Sequence, residues 1–121
     1  MGLFGRAQSY EEEAWLEKIR MWSAAREDCL WIDKLEAGRS GRVAGVVSRL
    51  RLDPASQIIE ATISDGSGTL KAQWVIRHPP AQMQAAPRRG LILEGMAEIG
   101  PKGQLFMLEP EFEVVPGPED E

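Results

Sequence analysis

Cysteine is almost absent: Cys29 is the single thiol in 121 residues. No internal disulfide can form, and a reducing, cytoplasmic setting is the expectation. Histidine is as scarce, and His78 lies far from Cys29 in sequence. One of each cannot build the usual four-ligand zinc site, so no metal is expected. No apolar run approaches the roughly 20 residues that span a bilayer, which leaves no role for a membrane partner. Met1 to Arg6 lack the apolar core and cleavage site of a secretory signal. Arg6 also stands where a myristoylation motif wants Ser or Thr. No Gly-x-x-x-x-Gly-Lys-[Ser/Thr] phosphate loop occurs anywhere in the chain. Ser64, Asp65 and His78 assemble into a triad on paper only, since nothing surrounds Ser64 that resembles a nucleophile elbow. The expectation is a protein that is not an enzyme and holds no cofactor.

Net charge is −5, which at face value disfavours a partner made of phosphates. The charge is unevenly spread, however. Residues 1–37 carry −3 and residues 104–121 carry −6, whereas residues 38–103 carry +4. That middle segment holds Arg39, Arg42, Arg49, Arg51, Lys71, Arg77, Arg88, Arg89 and Lys102 against five acids. A mildly basic face between two acidic ends is the sharper reading, and ordinary surface charge the plainer one.

Ser9 followed by Glu12 has capping-box spacing, and Glu11 to Glu13 suit the positive end of a helix dipole. Trp15, Leu16, Ile19 and Trp22 then recur at helical spacing, which predicts an amphipathic helix from about Tyr10 to Glu27. Leu30, Trp31, Ile32 and Leu35 form a second apolar patch before Gly38. Beyond Gly38 the period becomes two. Arg42–Leu52 reads as a strand with a bulge or bend at Gly45, and Asp53-Pro54-Ala55-Ser56 as a turn. Gln57–Ser64 puts Ile59, Ala61 and Ile63 on one face. After the hairpin signal Asp65-Gly66-Ser67-Gly68, Leu70–Arg77 does the same with Leu70, Ala72, Trp74 and Ile76. His78 to Gly90 is a connection with room for a helical turn or two. Leu91–Ile99 and Gln104–Val115 complete five strands. The prediction is a mainly β fold: an N-terminal helical extension over 1–37, a closed five-stranded antiparallel Greek-key barrel over 38–115, and an acidic tail over 116–121. That tail buries too little apolar surface to be ordered by itself.

Five strands with one longer connection between the third and fourth is the order of an OB barrel. Val43-Ala44-Gly45-Val46-Val47, Ile63 to Leu70 and Trp74 resemble the first three strands of the tRNA-anticodon-type OB family. Leu91-Ile92-Leu93-Glu94-Gly95, Met107 and Glu109 to Glu113 resemble its last two. The pattern is similar to the wedge domain of the helicase RecG and to short stand-alone OB-fold proteins of actinobacteria. It covers about residues 38–115. The resemblance implies binding of single-stranded or branched DNA or RNA, while OB barrels also serve as interaction modules.

In such barrels ligands lie on the face of strands two and three, rimmed by neighbouring loops. Mapped onto this sequence, that places Arg49, Arg51, Lys71, Gln73, Arg77, Arg88, Arg89 and Lys102 as the nucleic-acid contacts. Aromatics for stacking are few. Trp74 keeps the phase of Leu70 and Ala72, and Phe106 and Phe112 share one face of one strand, so all three are expected in the core. Glu109, Glu111 and Glu113 are read as a solvated face of that strand. Binding is therefore expected to be weak and electrostatic. The rival reading makes Trp15, Ile19 and Trp22 a protein-partner or self-association surface.

Overall fold

A computed structural model describes residues 2–75 and 89–120, with the side chains of 11–75 and 89–119. Its elements are a helix α1 (Gly2–Ala24) and seven strands: β1 (Ser40–Asp53), β2 (Ile58–Ser64), β3 (Thr69–Val75), β4 (Gly90–Met96), β5 (Glu98–Ile99), β6 (Leu105–Leu108) and β7 (Glu111–Val115). They form one sheet in the order β5-β6-β3-β2-β1-β4-β7, antiparallel throughout except for the β3–β6 pair. The fold is mainly β, as expected, but it is an open mixed sheet of seven strands and not a closed barrel of five.

Two breaks account for the difference. The expected fourth strand stops at Ala97, which is fully buried. Its amide donates to the Arg39 carbonyl at 3.0 Å and its carbonyl accepts from the Gly38 amide at 2.8 Å. Those bonds leave the β4 ladder, so the chain restarts as β5. The expected fifth strand breaks at Glu109-Pro110. Glu109 adopts a left-handed φ of 53°, and proline cannot donate to a ladder. Glu109 makes the corner in place: its amide donates to the Gln73 carbonyl at 2.8 Å, and its carboxylate accepts from the Val75 amide at 2.7 Å. The segment before the corner runs beside β3 and the segment after it runs beside β4. In β1 the irregularity falls between Val47 and Arg49, not at Gly45, which pairs regularly with Leu91.

The inner face follows the alternation. Val43, Val47, Ile59, Ala61, Ile63, Leu70, Ala72, Trp74, Leu91, Leu93 and Met107 form one buried cluster, joined by Ile32. Trp74 stands edge-on to Phe112 at 5.3 Å, and its Nε1 donates to the Pro110 carbonyl at 2.8 Å. Ile32 belongs to a 3-10 turn (Ile32–Lys34) tied to the β2–β3 hairpin by Asp65. That carboxylate, 1% exposed, accepts from the amides of Ile32, Ser67 and Gly68 at 2.7, 2.9 and 3.2 Å, and from the Ser67 hydroxyl at 2.6 Å.

Helix α1 starts earlier and ends earlier than its sequence signals: Ser9 and Glu12 lie inside it, and it stops at Ala24. It lies on the outer face, where Ile19 and Trp22 pack with Ala44 and Val46, flanked by Trp15, Ile92 and Val115. Both faces of the first half of β1 are thereby covered, which explains the run of five buried residues from Val43 to Val47. Ser23 Oγ donates to the Ala44 carbonyl at 3.2 Å, and Trp22 Nε1 donates to the Pro116 carbonyl at 3.1 Å. The residues following Pro116 form a short 3-10 turn (Pro118–Asp120) that meets the helix. Among the described residues no helix is long and apolar enough to cross a membrane.

Candidate nucleic-acid interface

Helix α1 covers only part of the outer face. Among the described residues nothing further covers the second half of β1, with β2, β3 and β6, and the ladder registers fix which side chains share this face. Arg49 stands opposite Thr62, Thr62 opposite Lys71, and Lys71 opposite Phe106. The next row reads Arg51, Glu60, Gln73 and Leu108. Neighbouring strands are about 4.8 Å apart, so each row places four side chains within roughly 15 Å. Arg51 and Glu60 also line a shallow cavity of about 300 Å³ with Leu52, Asp53, Ser56 and Ile58.

Four of the expected contacts, Arg49, Arg51, Lys71 and Gln73, are thus brought together. Arg89 lies just before β4, where its carbonyl accepts from the Val47 amide at 2.9 Å. Lys102 is exposed in the β5–β6 loop. Neither belongs to the two rows. Arg77 and Arg88 fall outside the described residues, as do Ile76, His78 and the connection that follows them.

Two residues of the face escaped the sequence reading. Phe106 is a correction: it is half-buried beside Lys71 on the outer face, while Phe112 points into the core. The corner at Glu109 resets the strand phase, so even spacing no longer means a shared face. Pro110 was the signal available for this break. Glu60 is the other, in its role and not in its outward position. Its Oε2 accepts from Gln73 Nε2 at 2.8 Å, and its Oε1 lies 3.9 Å from Lys71 Nζ.

The acids Glu111 and Glu113 lie on β7 apart from Glu109, which is spent on the corner. With Glu94, Arg42, Ile92 and Phe112 they line a separate cavity of about 170 Å³. Arg42 is held there by Asp28 at 3.0 Å and Glu94 at 3.7 Å. Among the described residues no cluster of His, Cys, Asp and Glu has the makings of a metal site. Ser64 and Asp65 serve the hairpin, where Ser64 Oγ accepts from the Gly66 amide at 3.3 Å.

Of the rival surface, Ile19 and Trp22 are 3% and 5% exposed against the chain's own sheet, and Trp15 is half-buried. Cys29 beside them is half-buried as well. Burial, and then the Asp28 carboxylate, raise its thiol above the ordinary value. At mildly alkaline pH the folded protein is expected to react with iodoacetamide more slowly than cysteine in a short peptide, because less of the thiol is ionised. Equal rates would show that Asp28 and burial do not control it.

No protein-family model matches the sequence, and no curated protein does. Solved structures do match in fold. Asparaginyl-tRNA synthetase from Pyrococcus horikoshii aligns with 74% of this chain at a TM-score of 0.59 and 17% identity. RecG bound to a three-way DNA junction aligns with 72% at 0.58 and 16% identity. The alignments cover 23% of the synthetase and 12% of RecG. An OBody bound to hen egg-white lysozyme aligns with 75% of this chain and 97% of its own at 0.56 and 14% identity. The fold is OB-like.

Proposed function

We propose that the chain is a non-catalytic module that binds single-stranded or branched nucleic acid on the open outer face of β1, β2, β3 and β6. The observation that carries this reading is the row Arg49, Thr62, Lys71, Phe106. Cations placed beside an aromatic ring are what a flexible polyanion with exposed bases requires. The side chains of Arg49 and Arg51 meet phosphates, and Phe106 stacks on a base. Binding is weak, since few phosphates are neutralised and the whole chain is acidic, and it weakens further as salt rises. Structural likeness to a domain of a tRNA synthetase and to RecG on a DNA junction supports the same reading.

Fluorescence anisotropy with labelled single-stranded DNA and RNA, at low and physiological salt, tests it. Arg49→Ala with Arg51→Ala is expected to flatten the salt slope by about two phosphates' worth. Phe106→Ala is expected to weaken binding by about 1–3 kcal/mol without changing that slope. Absence of binding at low salt would overturn the proposal.

A second reading, a protein-interaction module, draws on the OBody, whose similar fold is bound to a protein. For this chain it would need a surface other than Ile19 and Trp22. Light scattering at rising concentration reports self-association, and a Leu16→Glu, Met21→Glu variant tests the exposed side of α1.

A further inference from the structure

We infer that Glu60, with Lys71 and Gln73, makes this face selective for guanine among single-stranded bases, an inference that rests on the binding face proposed above. A carboxylate in the middle of a basic face opposes a polyanion, so its presence calls for a role other than holding phosphate. Phosphate contacts position a strand, and contacts to base edges specify it. Glu60 is held where such a contact forms: its side chain is 17% exposed, between Arg51 on β1 and Gln73 on β3.

The three side chains present an ordered set of donors and acceptors. Lys71 is a donor only. Each Glu60 oxygen has two lone pairs, so acceptors remain after the bond from Gln73 Nε2 and the approach of Lys71 Nζ. Because the Gln73 amide donates to Glu60, its own carbonyl oxygen is left as a further acceptor. Donor, acceptor, acceptor is the complement of the Watson–Crick edge of guanine, whose O6 accepts while N1–H and the N2 amine donate. Thymine and uracil match the first two positions through O4 and N3–H, but they turn O2 to the third acceptor, which repels it. Adenine and cytosine each offer only one donor group. Unstacked bases in single strands are read on this edge, and Phe106 beside Lys71 supplies a ring for the base plane.

Anisotropy titrations of the full chain against short oligothymidylates with one central dG, dA, dC or deoxyinosine test this. The dG oligomer is expected to bind about tenfold more tightly than the all-dT one, within the range of a good bidentate contact. Deoxyinosine, which keeps O6 and N1–H but lacks the amine, should fall between them. Glu60→Gln should bind all-dT more tightly than the native chain, having lost a negative charge, and should lose the dG preference. Gln73→Ala should reduce the preference without that gain, and thermal melts of both variants check the fold. Equal binding of every oligomer, or a dG preference intact in Glu60→Gln, overturns the inference and leaves the binding face standing. No binding of any oligomer overturns both.

Discussion

Asp65→Ala is expected to cost the fold about 4 kcal/mol, because hydrogen bonds to a buried charge contribute roughly 1.5–3 kcal/mol each and their donors would be stranded. The Ile32 amide suffers most. It is buried at the end of the core, and the Asp65 carboxylate at 2.7 Å is its acceptor. The Ser67 and Gly68 amides lie closer to solvent and recover part of their loss from water. A domain of this size is stable by about 5–15 kcal/mol, so the substitution removes a large share. In a thermal melt this reads as a fall of roughly 10–20 °C. Asp65→Asn should fall less, since one oxygen still accepts, although its NH₂ group then faces either Ile32 or Ser67. A melt of Asp65→Ala within a few degrees of the native chain would show that the tether does not hold the turn.

The second large effect is at the seat of helix α1. Trp22→Ala is expected to destabilise by about 3–5 kcal/mol, the usual result of emptying a buried aromatic site. The indole fills the space over Gly90, bonds the Pro116 carbonyl and carries Arg26 at 4.7 Å above its ring. Gly90 has no side chain for the same reason: a Cβ there would overlap the edge of the Trp22 ring, with Cη2 at 2.7 Å, and meet Val115 Cγ2 at 2.8 Å. Gly90→Ala should therefore cost about 1–3 kcal/mol by overpacking. In the Trp22→Ala background the added methyl finds room on the helix side, and the two costs should not add. Denaturant unfolding of the four chains measures the coupling. Additive costs would show that Trp22 is not what excludes a side chain at residue 90.

The strands easiest to read were those with one wet face. In β2 and β3 the alternation Ile59, Ala61, Ile63 and Leu70, Ala72, Trp74 matches burial residue for residue, because a half-buried strand writes period two into its sequence. The corners were harder. Ala97 and Glu109 end strands through bonds to residues distant in sequence, which no local propensity records, though Pro110 marks one of them. Reading β6 and β7 as one strand misplaces Phe106, the one ring that the described residues put on the open face. The cations Arg49, Arg51 and Lys71 were legible as outward positions. The alternation also put Glu60 outward, but not its role, which depends on Lys71 and Gln73 across the ladder. Where the tryptophans pack is likewise a tertiary fact: Val43 to Val47 read as an ordinary strand, yet the apolar residues on both of its sides ask for two covers.

The corner at Glu109 also bears on the order in which the fold assembles. Residues 105–115 supply partners to two strands that stand apart in the sheet, Lys71 pairing with Phe106 and Leu91 with Val114. The β1–β2–β3 meander closes from near neighbours, but the β3–β6 pair must bring together residues about 35 apart in the chain. Loop closure of that kind sets the pace in proteins rich in distant pairings, which fold in milliseconds to seconds. Phe106 reaches the outer face only through that distant pairing, whereas Arg49, Arg51 and Lys71 are set by the meander; a chain in which the meander alone has closed would present the cations without the ring.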